Sequence, residues 1–421
     1  MRGGAGDPAL SLWSRPALSY MSGEFLSQSG TYLSVTAQSW IVLESTHEPL
    51  ALGALMAARY APAALLGPAI GKYVDSRDPR RLVQIANYAQ AVLALALVGL
   101  AFTPASLVLV PFIVVGSVSQ IFAMLEHAGR MAYVAAIVPD ELRARFAGAT
   151  NSASTLGRIA GPAVASAVLT LGPSGLCFAV DASTFVFAAL LLPRPRYEVR
   201  IAGPSTLREG LRDIWGLPRV RNLLLVFAAV SLVSFNVATM IPLLVQEEYL
   251  NDPRTLAAFN IAFGIGSFLG GALRAWLRTS PSVSAFFGLL LFGATFLGLG
   301  LTNSWAVTLA LLFAGGFGRL MFTASSEAVL AVGVSQERRG LVGSLYAMAF
   351  TGTTPLGALL VTSLAGRMGT SATLVVCGVT AAAGGVTYMV SLAADRSPAS
   401  ADAKEGQGRL PAASRPHRPD G

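Results

Sequence analysis

The sequence predicts an all-α protein that crosses a membrane many times, with twelve transmembrane helices arranged as two pseudo-symmetric halves of six. Three observations support this prediction. Only 12% of the 421 residues are charged, about half the share found in soluble globular chains. Apolar stretches of about 20 residues, each long enough to cross a hydrocarbon core as a helix, recur along the chain. Finally, a segment of the first half resembles a segment of the second.

The apolar stretches define the spans and the domain boundaries. The connection 193–221 is the longest, and it is polar and basic with room for one short surface helix. It separates a first half, 19–192, from a second half, 222–393. Residues 1–18 precede the first span, and the Pro- and Ser-rich residues 394–421 are expected to be disordered. We place the spans at 19–43, 50–71, 81–103, 105–126, 145–170, 173–192, 222–245, 256–277, 284–302, 305–325, 341–364 and 371–393.

Basic residues between the spans predict the orientation. Cytoplasmic loops of membrane proteins carry an excess of Lys and Arg. One side of the predicted bilayer holds the basic cluster of 71–81 and the seven arginines between Arg194 and Arg221, whereas the other side holds only Arg254 and Arg367. The basic side is therefore predicted to be cytoplasmic, with both termini there, in the cell membrane. The net charge of +8 does not indicate nucleic-acid binding, because the basic residues form short clusters between apolar stretches.

The two halves share a sequence pattern. VPDELRARFAG at 138–148 resembles VSQERRGLVG at 334–343, and a Gly-rich helix follows each segment. The spacing from Gly148 to Gly157 recurs in the second copy, and a proline follows in both, at Pro162 in the first. Repeated six-helix halves are typical of transporters, which bind their substrate between the repeats near the mid-plane of the bilayer.

The loop GKYVDSRDPRR after the second span carries a second signal. Its arginines set the topology, but the charge bias does not require its aspartates. The loop resembles that between helices 2 and 3 of the major facilitator superfamily, in its enterobactin-exporter-like branch. Ser76 stands where that family has Arg. The resemblance implies the twelve-helix fold and a cytoplasmic latch, in which Asp75 faces the start of the eleventh span when the cytoplasmic side is closed. The latch residues are Gly71, Asp75, Arg77, Asp78, Arg80 and Arg81.

The fifth span matches the antiporter motif of the same superfamily at Gly148, Gly157, Gly161 and Pro162, while Ala165 and Ser166 replace the final glycine pair. The resemblance implies export by exchange, against protons. The alternative is ordinary close packing of helices through small residues.

Polar side chains inside the spans are candidates to line a cavity or to couple an ion, since such residues are rare in membranes and face the interior. Asp181, far from either end of the sixth span, is our candidate proton carrier, and Glu24 is the second candidate. The alternatives are hydrogen bonds between helices and arginines that reach to the interface. The candidates are Glu24, Gln28, Thr31 and Gln38 on one face of the first span, together with Arg59, Arg158, Asp181, Asn236 and Arg319.

The predicted function is secondary active export of a small amphipathic organic compound, such as a drug, an antibiotic or a siderophore-like metabolite, in exchange for protons. Uptake of a metabolite, and a receptor or scaffold role, are alternatives. HExxH, GxSxG and P-loop motifs are absent from the sequence, so an enzyme or an ATP-driven pump is not predicted. The three histidines are too scattered for a metal site. We expect no cofactor and a monomer.

Overall fold

The fold is given by a computed structural model that describes residues 14–75, 77–102, 105–138, 140–193, 218–277, 279–332, 346, 349 and 352–394. The regular structure in these ranges is helical, as predicted. The described residues form thirteen helices, which are, in order, α1 (Arg15–Thr46), α2 (Pro49–Asp75), α3 (Pro79–Leu100), α4 (Ala105–Ile137), α5 (Asp140–Leu171), α6 (Gly175–Leu191), α7 (Pro218–Val233), α8 (Val237–Glu248), α9 (Pro253–Trp276), α10 (Pro281–Leu299), α11 (Trp305–Val332), α12 (Thr354–Met368) and α13 (Thr370–Ala394).

Prolines and aspartates mark where several helices begin. Proline lacks a backbone N–H and its fixed φ suits the first helical turn, and α2, α3, α7, α9 and α10 all start with it. Before α3, the Asp78 carboxylate accepts the backbone N–H of Arg80 at 2.9 Å. Before α9, Asp252 accepts the backbone N–H groups of Arg254 and Thr255 at 3.1 Å. These caps satisfy amide groups that have no partner within the helix.

Two spans differ from the prediction in extent. The fourth span was expected to end at 126, but α4 continues to Ile137. A buried i,i+4 ion pair joins Glu126 and Arg130 in this part of the helix, their other partners lie on α1 and α3, and the next proline in the sequence comes at 139. The seventh span was expected to be continuous, but it breaks between Val233 and Val237 into α7 and α8. Such breaks occur inside membranes only where protein or a cavity surrounds the backbone.

Some predicted segments lie outside the described residues. These are most of the N-terminal segment, most of the linker 193–221 with its expected surface helix, the first part of the eleventh span, and the C-terminal tail.

Eight helices of the described part are long and apolar enough to cross a membrane. The apolar α6 is shorter, with 17 residues. α1 is not among the eight, because its many Ser, Thr and Gln side chains lower its hydropathy. About half of α1 is buried among other helices, which lets those side chains find partners inside the protein.

The helices pack mainly within the first six and within the last seven, and two contacts between these groups are the most extensive of those that join them. α1 packs on α5 and α6, and α3 packs on α4 and α6, while α11 packs on α9 and α10, and α10 on α13. α2 contacts α12, where a methyl group at Gly53 would collide with Thr362. α5 contacts α9, where a methyl group at Gly264 would collide with Ile159. We call these contacts the α2–α12 seam and the α5–α9 seam.

Candidate functional site

The residues from 71 to 81 make separate local contacts in the part of this segment that the structure describes. Gly71 lies in α2, and the side chain of Asp75 is outside what the structure describes, so the latch contact of Asp75 stays a prediction. Asp78 caps α3 and forms an exposed ion pair with Arg81 at 3.5 Å. Arg80 donates from Nε to the Pro193 carbonyl at 3.1 Å, just after α6. An arginine at the carboxyl end of a helix is favoured by the helix dipole. Arg80, which belongs to α3, therefore stabilises the packing of α3 against the end of α6.

The neighbouring Arg77 is exposed, and its guanidinium carbon lies 4.6 Å from the centre of the Tyr73 ring.

Two glycines of the fifth-span motif lie against α1. A Cβ at Gly157 would come within 2.6 Å of the Phe25 carbonyl oxygen, and one at Gly161 would come within 2.5 Å of the Ser29 carbonyl oxygen. Both approaches are too close for any larger residue, so these glycines set the distance between α1 and α5. Gly148 has nothing within 4 Å of its Cβ position. Pro162 lies inside α5.

A buried ion triad joins α1 and α4. Arg130 lies 3.2 Å from Glu24 and 2.7 Å from Glu126, and all three side chains are about 6% exposed. Ser154 of α5 donates to Glu24. Glu126 also accepts from Ser27 at 2.8 Å and from Gln90 of α3 at 2.9 Å. The triad carries one net negative charge when both carboxylates are ionised, and hydrogen bonds from four helices hold it.

A second polar cluster surrounds Asp181 of α6. Asp181 and Arg59 of α2 line one small cavity together with Thr31, Gln90 and other residues. Both side chains are buried, at 3% and 4% exposure. Asp181 Oδ1 and Arg59 Nε and Nη1 have no hydrogen-bond partner among the described residues. Buried polar atoms without partners are costly, and atoms that line a polar cavity can bind water or change partners.

Gln90 connects the two clusters. It donates to Glu126 of the triad and also lines the Asp181 cavity. A continuous set of buried polar groups therefore runs through α1, α2, α3, α4 and α6.

The four polar residues of the first span do not share one environment. Glu24 belongs to the triad, whereas Thr31 lines the Asp181 cavity. Gln28 packs at the position facing Gly157. Gln38 is buried, and its Oε1 accepts no hydrogen bond from the described residues. It lies beside Arg59, near Gly116.

The break between α7 and α8 places Phe235 beside Arg319 of α11. Ser234 Oγ donates to the Cys377 carbonyl at 2.7 Å, and Asn236 Nδ2 donates to the Leu232 carbonyl at 3.0 Å. These bonds compensate for the interrupted helix. The guanidinium carbon of Arg319 lies 5.4 Å from the centre of the Phe235 ring, within cation–π range. The side chain of Asn236 therefore forms one of the hydrogen bonds that stabilise the break between α7 and α8.

Arg158 of α5 is an exposed cation beside Tyr32, whereas Arg319 of α11 is half-buried. The guanidinium carbon of Arg158 is 5.8 Å from the centre of the Tyr32 ring. The charge of Arg158 acts on Arg319 and on Glu327 of α11. The two arginines, on α5 and α11, are therefore near enough for their charges to interact.

Sequence reasoning missed several of these residues. His127 and Arg130 fall outside the predicted fourth span, which ends at 126, and Glu126, its last residue, was not among the candidates. The i,i+4 spacing of Glu126 and Arg130 was the available signal, since it stabilises a continuing helix. Glu327 was missed because it lies beyond the predicted end of the tenth span. Among the described residues, no group of three or more His, Cys, Asp or Glu is placed to hold a metal ion.

Comparison with known proteins gives a family match over most of the chain. The family model described as the Major Facilitator Superfamily matches residues 20–281 and 255–418. Macrolide efflux protein A of Streptococcus pyogenes is 23% identical over 270 residues, which are 62% of this chain and 64% of that protein. The match thus spans less than two thirds of that relative's length. The staphyloferrin A transporter of Staphylococcus aureus is 23% identical over 374 residues, 86% of this chain and 92% of that protein.

Solved structures share the fold. The nucleoside transporter NupG superposes with a TM-score of 0.70 at 13% identity, and the alignment covers 90% of this chain and 100% of that chain. A bacterial homologue of the human lysosomal transporter Spinster, inward-facing and occupied, gives a TM-score of 0.67 at 15% identity, with 90% of this chain and 97% of that chain covered.

Proposed function

Because the chain belongs to the Major Facilitator Superfamily, and is therefore a membrane transporter and not an enzyme, we propose that it exports a small amphipathic organic compound in exchange for protons. Drugs, antibiotics and siderophore-like metabolites fit this class. The protein works as a monomer in the cytoplasmic membrane, with both termini inside. Alternating access carries the substrate, as the two halves rock about a site between them.

The helix contacts support twelve spans in two halves. α7 and α8 together make the seventh span, and α12 belongs to the eleventh. The α2–α12 seam then joins spans two and eleven, and the α5–α9 seam joins spans five and eight. Exchanging the halves converts one seam into the other, because span two corresponds to span eight and span five to span eleven. Two equivalent seams are what a pseudo-two-fold axis requires.

Contacts at one end of the bundle support an arrangement closed to the outside. Gln246 at the end of α8 donates to the Leu43 carbonyl near the end of α1, at 3.3 Å. Gly53 meets Thr362 on the same side. In the predicted orientation this end is external, so a substrate would enter from the cytoplasm in this state.

Efflux relatives and the fifth-span glycines support export. Three of the relatives are named macrolide efflux protein A, and one is named staphyloferrin A transporter. Gly157 and Gly161 hold α5 against α1, at the position where the antiporter motif of the family lies.

The observation that carries proton exchange is the buried polar set of the first half. It contains three carboxylates, Glu24, Glu126 and Asp181, with two arginines, all enclosed by helices. Glu126 accepts four hydrogen bonds and is fixed. Asp181 has an oxygen without a partner, so it is free to gain or lose a proton as its surroundings change. We therefore place the proton on Asp181 first and on Glu24 second.

Vesicles with an imposed pH gradient test this proposal. Asp181→Asn is expected to abolish accumulation against a gradient while leaving downhill movement. Asp252→Asn, the same change at an external helix cap, is the matched control, because Asn also caps helices well. If neither Asp181→Asn nor Glu24→Gln alters the dependence of transport on the pH gradient, proton coupling through these two carboxylates is excluded. If wild-type vesicles move no compound of this class, the proposal of export is rejected.

A further inference from the structure

Two arginines lie near the middle of their helices without an acidic partner in contact; Arg158 is exposed and Arg319 is half-buried. Arg158 lies roughly 20 Å or more from either end of α5, and Arg319 lies about 20 Å from either end of α11, at 1.5 Å per residue. Neither forms a salt bridge with any residue that the structure describes. Arg319 Nε is buried with no hydrogen-bond partner in the same ranges. Arginine does not lose its proton in proteins, so both positive charges are permanent.

The two side chains belong to different halves and lie on either side of the α5–α9 seam. Ile159, next to Arg158, touches Gly264, and Phe263, next to Gly264, lies 5.9 Å from the Arg319 guanidinium carbon. The charge of Arg158 acts on Arg319. A ligand between the halves would therefore meet both cations at once.

Aromatic groups surround these cations. Phe235 and Phe263 lie beside Arg319, and Tyr32 lies beside Arg158. The phenols of Tyr60 and Tyr346 are close enough to act on the charge of Arg319. Rings of this kind can stack on the body of an organic molecule, while their hydroxyl groups donate hydrogen bonds.

Two acidic side chains of the described residues lie near these cations without contacting them: Glu327 of α11, and Glu24, which accepts a hydrogen bond from Ser154 one turn before Arg158. Glu327 is exposed and lies near enough to Arg158 to feel its charge. It is eight residues from Arg319, roughly 12 Å along α11. The buried triad of Glu24, Glu126 and Arg130 is bonded within the first half. Neither guanidinium therefore has a carboxylate of the described residues in contact with it, and both keep donors for an anionic ligand.

We propose that Arg158 and Arg319 form an anion-recognition site, and that the transported compound is an amphipathic organic carboxylate and not an organic cation. This inference rests on the proposed function, because it names the substrate class of the same central site. A carboxylate accepts paired hydrogen bonds from a guanidinium, and its apolar body fits the surrounding rings. An organic cation meets two like charges there instead.

The test compares two xanthene dyes of similar size and opposite charge, fluorescein and rhodamine 6G. Binding to the purified protein in detergent is measured by fluorescence anisotropy, which needs neither transport nor a proton gradient. We expect saturable binding of fluorescein, weakened about tenfold or more in Arg319→Gln and in Arg158→Gln. Arg319→Lys should retain part of the affinity. Arg274→Gln, on α9 outside this region, is the matched control and should bind as the wild type does.

Glu327→Gln provides a check that misfolding cannot imitate. Removing this negative charge should strengthen fluorescein binding severalfold and leave rhodamine 6G binding equal or weaker. The inference is overturned if the wild type does not bind fluorescein saturably, or if both dyes respond equally to Arg319→Gln. Vesicles that move rhodamine 6G but not fluorescein would keep export and reject the anion site. Fluorescein binding that needs both arginines, without any movement in vesicles, would keep the site and reject export.

Discussion

Replacing Arg130 tests how much of the stability of the first half depends on the buried triad. Arg130→Met keeps the side-chain volume but removes the cation between Glu24 and Glu126, which it contacts at 3.2 and 2.7 Å. Removing one partner of a buried ion pair costs about 3–5 kcal/mol, because the remaining charge is left unpaired. Glu126 keeps its hydrogen bonds from Ser27 and Gln90. The stability lost in this variant is therefore mainly the electrostatic attraction between Arg130 and the two carboxylates.

The protein contains its own probe for this measurement. Cys177 and Cys377 are free and fully buried, so a thiol-reactive fluorogenic dye reports their exposure during heating. Extrapolating from smaller domains, a chain of this size shifts its midpoint by about 1–2 °C per kcal/mol. Arg130→Met should therefore unfold roughly 3–10 °C below the wild type.

Arg81→Met is the matched control, because Arg81 also pairs with an acid but is 80% exposed. Exposed pairs contribute about 0–1 kcal/mol, so this variant should stay within about 2 °C of the wild type. Arg130→Met with Glu126→Gln should recover part of the loss, since the double change removes one unpaired charge. Equal midpoints for Arg130→Met and the wild type, or no recovery in the double variant, would refute the reasoning.

Three further predictions concern the latch, the topology and the helix contact. Asp75→Asn should keep normal insertion and abundance but strongly lower transport in vesicles; unchanged transport would leave the loop with its topology role alone. In a cysteine-free background, a cysteine at Thr46 should be labelled from outside intact cells and one at Ser205 should not, and the reverse pattern would reject the orientation. Gly161→Val should lower the unfolding midpoint, because a Cβ there comes within 2.5 Å of the Ser29 carbonyl oxygen; a midpoint equal to that of the wild type would show that α1 and α5 can separate freely.

The helical class and most span positions could be predicted from the sequence because length and apolar content determine them. A helix that crosses a bilayer needs about 20 apolar residues, and the charged residues between the apolar stretches mark the connecting loops. Helix ends were less predictable. α4 runs eleven residues beyond the expected end, because its polar residues are satisfied by α1 and α3 inside the protein. A hydropathy pattern treats such residues as exposed, whatever their partners.

The candidate site was predicted by residue type but not by grouping. Asp181 and Arg59 were singled out as rare charges within spans, and the structure brings them to one cavity. Gln90 was not singled out, since a lone glutamine in an apolar stretch has many ordinary roles. Its importance comes from its position between Glu126 and the Asp181 cavity. That position depends on how α3 packs against α4 and α6, which no local pattern encodes.

The break in the seventh span shows why the central region needed the structure. Ser234, Phe235 and Asn236 include no glycine or proline, so nothing local marks an interruption. The break exists because partners from elsewhere replace the lost helix bonds, among them the Cys377 carbonyl of α13. Its consequence is to turn Phe235 toward Arg319. Irregular backbone near the middle of a span is where transporters of repeated architecture bind their ligands. The helix break, which no sequence pattern indicates, therefore places Phe235 beside Arg319, where the proposed carboxylate would bind.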